Sequence, residues 1–402
     1  MDPSQHGSAR APRRPLCVID HVGNAGGGVK YALRMLDRLR LDWEVELCAQ
    51  PAALARYRQA AGGVPLALRV GWPLNLAPVL ADQSPRFSAW LAHHAQEARA
   101  WSYQVRPPAQ AEAGVCFFPW LHRHDLSRFG GRGLGVFHDA IFFEMPELIG
   151  PGRLALETDN LRTWFERLDR IVVTSAHTKR RLLRVAGEPW ADRVSVIHVA
   201  DSDGGEPLPL PGRAATQRFG RYLVMPAVAS PHKNHRVLLA ALRRSRGPWK
   251  LVLTGAGTEA HPQSPLGRLI AQSGLGDRVC GLGHVAKALV TQLVADAEAL
   301  VMPTLGEGGG SFPVCEAIVA GTPVIASNLD VIAEQLERMG AQATLFDPRN
   351  EDELVAALDG LARDPEAFRR VAREQVGRLR LRTWDDVACE FTALLARLYP
   401  DR

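Results

Sequence analysis

Short apolar runs that stop at glycine or at a polar pair, each followed by apolar residues at helical spacing, recur along almost the whole of this chain. That alternation confines it to parallel sheets covered by helices. Leu16 to Val22 is such a run, and after Gly26, Gly27 and Gly28 the residues Val29, Leu33, Leu36 and Leu39 return at helical spacing. Strand, glycine turn and helix together make the opening unit of a doubly wound sheet. Further strands are predicted at 43–48, 114–118, 133–137, 170–174 and 194–199, with a helix at 175–185. The stretch 201–218 breaks the rhythm with prolines and glycines, the texture of a linker. It then restarts, with strands at 222–225, 251–254, 278–280, 299–302 and 324–326. The helices between them are predicted at 236–243, 265–273, 286–295, 313–319 and 331–336, and 366–399 reads as closing helices.

The expected organisation is α/β, with two Rossmann-like doubly wound domains facing across a cleft. Residues 1–15 form a flexible leader and 16–205 an amino-terminal domain. A linker follows at 206–218, then a carboxyl-terminal domain at 219–380, and 381–402 ends in a helix packing back on the first domain. A length of 402 residues suffices for two such cores. The polar, Pro- and Arg-rich start is neither a signal peptide nor an anchor, and no apolar run is long enough to span a bilayer. The six cysteines are scattered without a CxxC pair, which suits reduced thiols in cytosol. The net charge of +5 is mild. Its basic clusters, among them the stretch from Arg369 to Arg382, are solvated faces or a surface for anionic headgroups. Nucleic acid is excluded as a partner, because no aromatics interleave with them.

The segment from Pro303 to Ala326 carries the densest chemistry. Gly308, Gly309 and Gly310 leave backbone N–H groups bare and let a ligand approach closely. Pro313 suits the first turn of a helix whose amino end favours negative charge. Glu316, expected in that first turn, can bind the vicinal hydroxyls of a ribose. A diphosphate with its ribose satisfies all of these groups together.

This segment resembles the E-x7-E region of the retaining GT-B glycosyltransferases of family GT4, and the resemblance extends over most of the chain. Lys233-Asn234 is similar to the family's K-G or K-N element, Leu251 to Gly257 to its strand and glycine turn, and Gly281 to Val285, with His284, to the segment near the nucleobase. Phe346 to Pro348 and Thr383-Trp384 resemble later landmarks. Gly26 to Gly28 match the amino-terminal glycine loop, His138-Asp139 with Pro146-Glu147 resemble the "HD…P-E" pattern, and Asp169 to Lys179 resembles another family segment. Two departures stand out. Glu307 and Glu316 are nine positions apart, one more than E-x7-E, and Val228 stands where many members have an arginine.

The resemblance implies a hexosyltransferase that retains anomeric configuration, with a weak tilt to mannose. Gly27, Gly28, Lys233, Asn234, His284, Gly309, Gly310, Ser311 and Glu316 would bind the donor, His138 and Glu307 would act in catalysis, and Asp139 would stand on the acceptor side and orient the His138 ring. Its partners would be GDP-mannose or a UDP-hexose and a glycan or polyprenyl-linked acceptor. The implied location is the cytoplasm, with peripheral contact to the anionic inner face of the membrane. No cofactor or metal is expected. Asp201-Ser202-Asp203 spells a DxD but sits in the linker, and His122 to Asp125 lacks a second cluster to complete a coordination set. The inserted residue leaves one alternative open, a sugar-nucleotide-binding scaffold without turnover, and a third reading is a GT-B epimerase or phosphorylase.

Overall fold

A computed structural model describes residues 14–20, 27–49, 67–70, 115–122, 124–127, 129–148, 151–201, 211–259, 261 and 263–400. Thirteen strands in these residues form two all-parallel sheets. The first has the order β3-β2-β1-β4-β5-β6-β7, from β1 (Arg14–Asp20), β2 (Trp43–Ala49), β3 (Ala67–Val70), β4 (Cys116–Phe118), β5 (Gly133–Phe137), β6 (Arg170–Val173) and β7 (Val194–Val196). The second has the order β10-β9-β8-β11-β12-β13, from β8 (Tyr222–Pro226), β9 (Lys250–Thr254), β10 (Val279–Gly281), β11 (Ala299–Met302), β12 (Val324–Ser327) and β13 (Thr344–Phe346).

The continuous apolar runs have a direct physical reading. Side chains alternate across a strand, so a run without polar residues needs cover on both faces. In β1, Leu16 and Val18 join one core cluster while Cys17 and Ile19 join another on the opposite face. Phe117 of β4 likewise faces away from Cys116 and Phe118.

The helices are α1 (Gly27–Leu39), α2 (Ile141–Glu144), α3 (Pro151–Arg167), α4 (Ala176–Ala186), α5 (His235–Arg244), α6 (Pro265–Gln272), α7 (Lys287–Asp296), α8 (Phe312–Val319), α9 (Asp330–Met339), α10 (Glu351–Arg363), α11 (Pro365–Val376) and α12 (Trp384–Leu398). Of these, α2, α3 and α10, with strands β3 and β13, are not in the sequence reading. Strand β1 begins at Arg14, inside the stretch read as leader, and residues 1–13 lie outside the described residues. The second half of the expected linker packs onto the second sheet's layer. Thr216 Oγ1 donates to Asp296 at 2.7 Å, and Phe219 enters that core.

Helix α12 starts on a capping box between Thr383 and Asp386. It shares a core cluster with the first sheet, and Phe391 lies 5.4 Å from Phe117 in an edge-to-face contact. Tyr399 ends the return crossing by donating to Asp169 at 2.7 Å. Near this crossing, Asp201 is buried and paired with the Arg338 guanidinium by two contacts, and it accepts the Arg382 amide at 2.8 Å. Its carboxylate is therefore committed to joining the two halves, and Asp203 lies outside the described residues. Among the described residues no helix is long and apolar enough to cross a membrane.

Candidate active site

In open parallel sheets, ligands bind beyond the carboxyl ends of the strands, where the order of winding reverses. In the second sheet that point lies between β8 and β11. The turn after β8 delivers Lys233 and the loop after β11 delivers Glu307, and their side chains meet at 2.5 Å. The two turns are fastened to each other, since Leu305 N and Thr304 Oγ1 both donate to the His232 carbonyl. Burial, and then the Lys233 charge, lower His232 to about 3 and His235 to about 4. Both imidazoles are neutral at physiological pH, which leaves Lys233 as the positive charge of that turn.

Asn234 adopts the left-handed conformation, φ 58° and ψ 40°, where glycine and asparagine are least disfavoured. That is a backbone reason for the K-G or K-N alternation. Its side-chain amide donates to the Pro348 carbonyl at 2.9 Å, so Asn234 fastens the turn to the loop after β13. The structure thus gives this residue a positioning task.

Helix α8 begins after Ser311, with Pro313 in its first turn. Glu316 is its fifth residue, one step beyond the first turn expected from the sequence, and its carboxylate contacts Lys287 at the start of α7. Two lysine–glutamate contacts thus belong to this face. His284, between β10 and α7, is exposed.

The glycine loop is where the two halves touch. A Cβ at Gly308 would stand 1.9 Å from the His138 carbonyl oxygen, so only glycine fits there. The Gly308 carbonyl accepts from Ser175 Oγ at 2.6 Å and from Thr178 Oγ1 at 2.9 Å. Gly309 packs against Thr174, and Gly310 takes φ +100° beside Gln335. The Ser311 amide donates to Gln335 Oε1 at 2.9 Å, so in this conformation that N–H is occupied and is not the free diphosphate donor read from the sequence.

His138 ends β5. It stacks on Trp120 with ring centres 4.8 Å apart and meets the edge of Tyr31, also at 4.8 Å. Its Nε2 lies 2.7 Å from the Pro119 carbonyl, which requires a proton on that nitrogen and leaves Nδ1 as the acceptor. Burial lowers the ring to about 4, so it is neutral at physiological pH. Asp139 does not orient this ring as expected. Its Oδ1 accepts the Ile141 amide at 3.1 Å and caps α2, while Pro119 fixes the imidazole. Gly27 and Gly28 form the first residues of α1, one turn before Tyr31, and Gly26 lies outside the described residues.

Several residues absent from the sequence reading complete the interface. Glu334 on α9 accepts the amides of Ala176 and His177, at 2.7 and 2.9 Å, and pairs with His198 at 2.8 Å. Burial alone would raise its pKa, but His198 and the two amides outweigh it and hold the group at about 2. A carboxylate thus sits on the amino end of α4, where the peptide dipoles favour it. Nothing in a helical stretch marks one glutamate for such a task, whereas Ser175, which caps α4 through the Thr178 amide, carried a local signal. Beside these contacts a cavity of about 490 Å³ opens between the halves, with Phe143 on one wall and Glu307 on the other.

With this geometry in place, the comparisons are specific. Residues 217–376 match the family model described as glycosyl transferases group 1. The chain is 34% identical over 140 residues to an MMP alpha-(1->4)-mannosyltransferase of Mycolicibacterium hassiacum, covering 34% of this chain and 33% of that one. It is 27% identical over 238 residues to O-antigen chain mannosyltransferase B of Escherichia coli, covering 56% and 60%. The chain thus spans about a third to three fifths of the length of these curated relatives. Its fold is similar to that of HepE of Anabaena, solved in complex with UDP and glucose, with a TM-score of 0.67 at 16% identity over 96% of this chain and 100% of that one. Residues 217–376 are thus similar to the glycosyl transferases group 1, and the two facing parallel sheets have the fold of the GT-B glycosyltransferases.

Proposed function

We propose that the protein moves a hexose, with mannose favoured, from a nucleoside diphosphate sugar to a hydroxyl of a glycan or polyprenyl-linked acceptor, with retention of configuration. The observation that carries this reading is the pair of lysine–glutamate contacts, Lys233 with Glu307 and Lys287 with Glu316, at the carboxyl edge of the second sheet. Lys233 spends one of its three N–H donors on Glu307, and the other two suit phosphate oxygens. Glu316 is held by Lys287 through Oε1, and Oε2 suits a ribose hydroxyl. Glu307 likewise keeps Oε2 for a hydroxyl of the hexose.

In the proposed step the bond from C1 to the leaving phosphate oxygen breaks. A bond from C1 to the acceptor oxygen forms on the same face, and the acceptor proton passes to the departing phosphate. Lys233 stabilises the growing charge, an electrostatic role of the oxyanion-hole kind. His138, neutral and with Nδ1 as acceptor, holds a hydroxyl and does not supply charge. The names of the curated relatives favour mannose, and the exposed Arg370, Arg373 and Arg378 suit a peripheral contact with an anionic membrane face. The test is stereochemical. An α-configured donor is expected to give an α-linked product, read from the anomeric coupling by NMR. A β-linked product overturns retention and moves attention to Asp139 and Glu144 as bases.

A further inference from the structure

The cavity between the halves is lined by three arginines and three carboxylates, and they do not pair off evenly. Glu144 holds Arg181 at 2.5 Å. Glu307 is taken by Lys233, and Asp330 lies 3.5 Å from Arg180 and 3.7 Å from His177. Arg184, on α4, and Arg349, in the turn after β13, are left without an ion-pair partner among the described residues. One comes from each half, and both are exposed at the rim. Behind them the wall is apolar, with Phe143, Met145 and Leu329. Guanidinium groups are the side chains best shaped to grip a phosphate by paired N–H donors, and the C–H face of a pyranose packs on apolar and aromatic walls. The volume is in the range of small-ligand sites, about 300–1,000 Å³.

We propose that this cavity is the acceptor subsite and takes a sugar that carries a phosphate group, with the phosphate held between Arg184 and Arg349. This rests on the donor reading above, because Gly306 and Glu307 form the wall that the cavity shares with the donor site. The phosphate at the rim sends the pyranose inward, toward the loop that would hold the donor hexose. Since each half supplies one arginine, the same anion favours the closed cleft.

The test is calorimetry on the full chain with methyl α-mannoside, mannose 6-phosphate and vesicles containing phosphatidylinositol, with GDP and UDP titrated against the same samples. Mannose 6-phosphate is expected to bind about tenfold or more tightly than the neutral mannoside, the scale of charge-assisted hydrogen bonds. The Arg184→Gln/Arg349→Gln double variant is expected to erase that preference and leave nucleotide affinity unchanged, and each single variant to lose part of it. Both side chains are exposed, so the variants are expected to keep the fold. Arginine-dependent binding of the vesicles without the free sugar phosphate assigns the phosphate to a lipid headgroup. Equal affinities for phosphorylated and neutral probes, with the nucleotide still bound, overturn the phosphate subsite alone, as does a preference that survives in the double variant. Failure of both nucleotides to bind the wild-type protein overturns the donor reading instead.

Discussion

The two walls of the cleft are built from different chemistry. On the carboxyl-terminal wall, Lys233, Glu307, Lys287 and Glu316 form charged pairs within one domain. On the amino-terminal wall the contacts to the glycine loop are neutral: the hydroxyls of Ser175 and Thr178, the carbonyl of His138, and an imidazole held uncharged by burial. The difference assigns the work. Under the proposed reading, charge that builds on a departing diphosphate needs preorganised opposite charge, and Lys233 on the first wall would supply it. The second wall fixes distance, because a glycine carbonyl gripped by two hydroxyls sets how closely the halves approach.

The strongest way to break this division is to push the walls apart. Gly308→Val places a side chain where the His138 carbonyl stands. It is expected to cost about 3 kcal/mol of overpacking, read as a lower unfolding midpoint together with lost transfer, while nucleotide binding to the carboxyl-terminal wall survives. Glu334→Ala comes next. It strips a carboxylate from two amides and His198, and is expected to lower stability by about 2 kcal/mol, the scale of hydrogen bonds to a charged group. Thermal unfolding with unchanged nucleotide affinity is the expected signature.

On the charged wall, Glu316→Ala is expected to weaken nucleoside diphosphate binding by about 1.5 kcal/mol, or roughly tenfold. Glu307→Ala is expected to act on turnover more than on that affinity. Unchanged calorimetric affinity in Glu316→Ala would remove the ribose assignment. Acid sharpens the contrast more gently. His138, His232 and His235 have lowered folded values, near 4, 3 and 4, so the unfolded chain binds more protons below its ordinary 6.5. Their contribution is complete above pH 6.5 and is lost as pH falls toward those values. The Glu334 contribution is complete above 4.5 and is lost as pH falls toward 2. Urea unfolding at pH 7, 5 and 4 reads the first window, and a flat profile there would contradict the neutral histidines. The smallest expected effect is none at all. Transfer is expected to survive EDTA, because in the proposed reading Lys233 would neutralise the diphosphate without a divalent ion, and Asp201 is committed to Arg338. Loss on chelation with recovery on manganese would overturn that.

The sequence by itself determined the two parallel sheets, because strand and helix periods are local and a run such as Leu16 to Ile19 cannot face water on either side. It also marked Lys233, Glu307 and Glu316, whose residue types and order survive in a short motif even with one residue inserted. Strand β13, which pairs with β12, and helix α3 escaped because their apolar spacing is weak, and tertiary packing fixed them. Only the tertiary structure decided that Asn234 serves the loop at Pro348, that the Ser311 amide is occupied by Gln335, that Pro119 and not Asp139 orients His138, and that Glu334 caps α4. These contacts join residues as far apart in the chain as Ala176 and Glu334, and they form only once the folded elements dock. No local pattern encodes such a pairing, since a hydroxyl, an amide or a carboxylate in one segment reads the same whichever partner the fold brings to it.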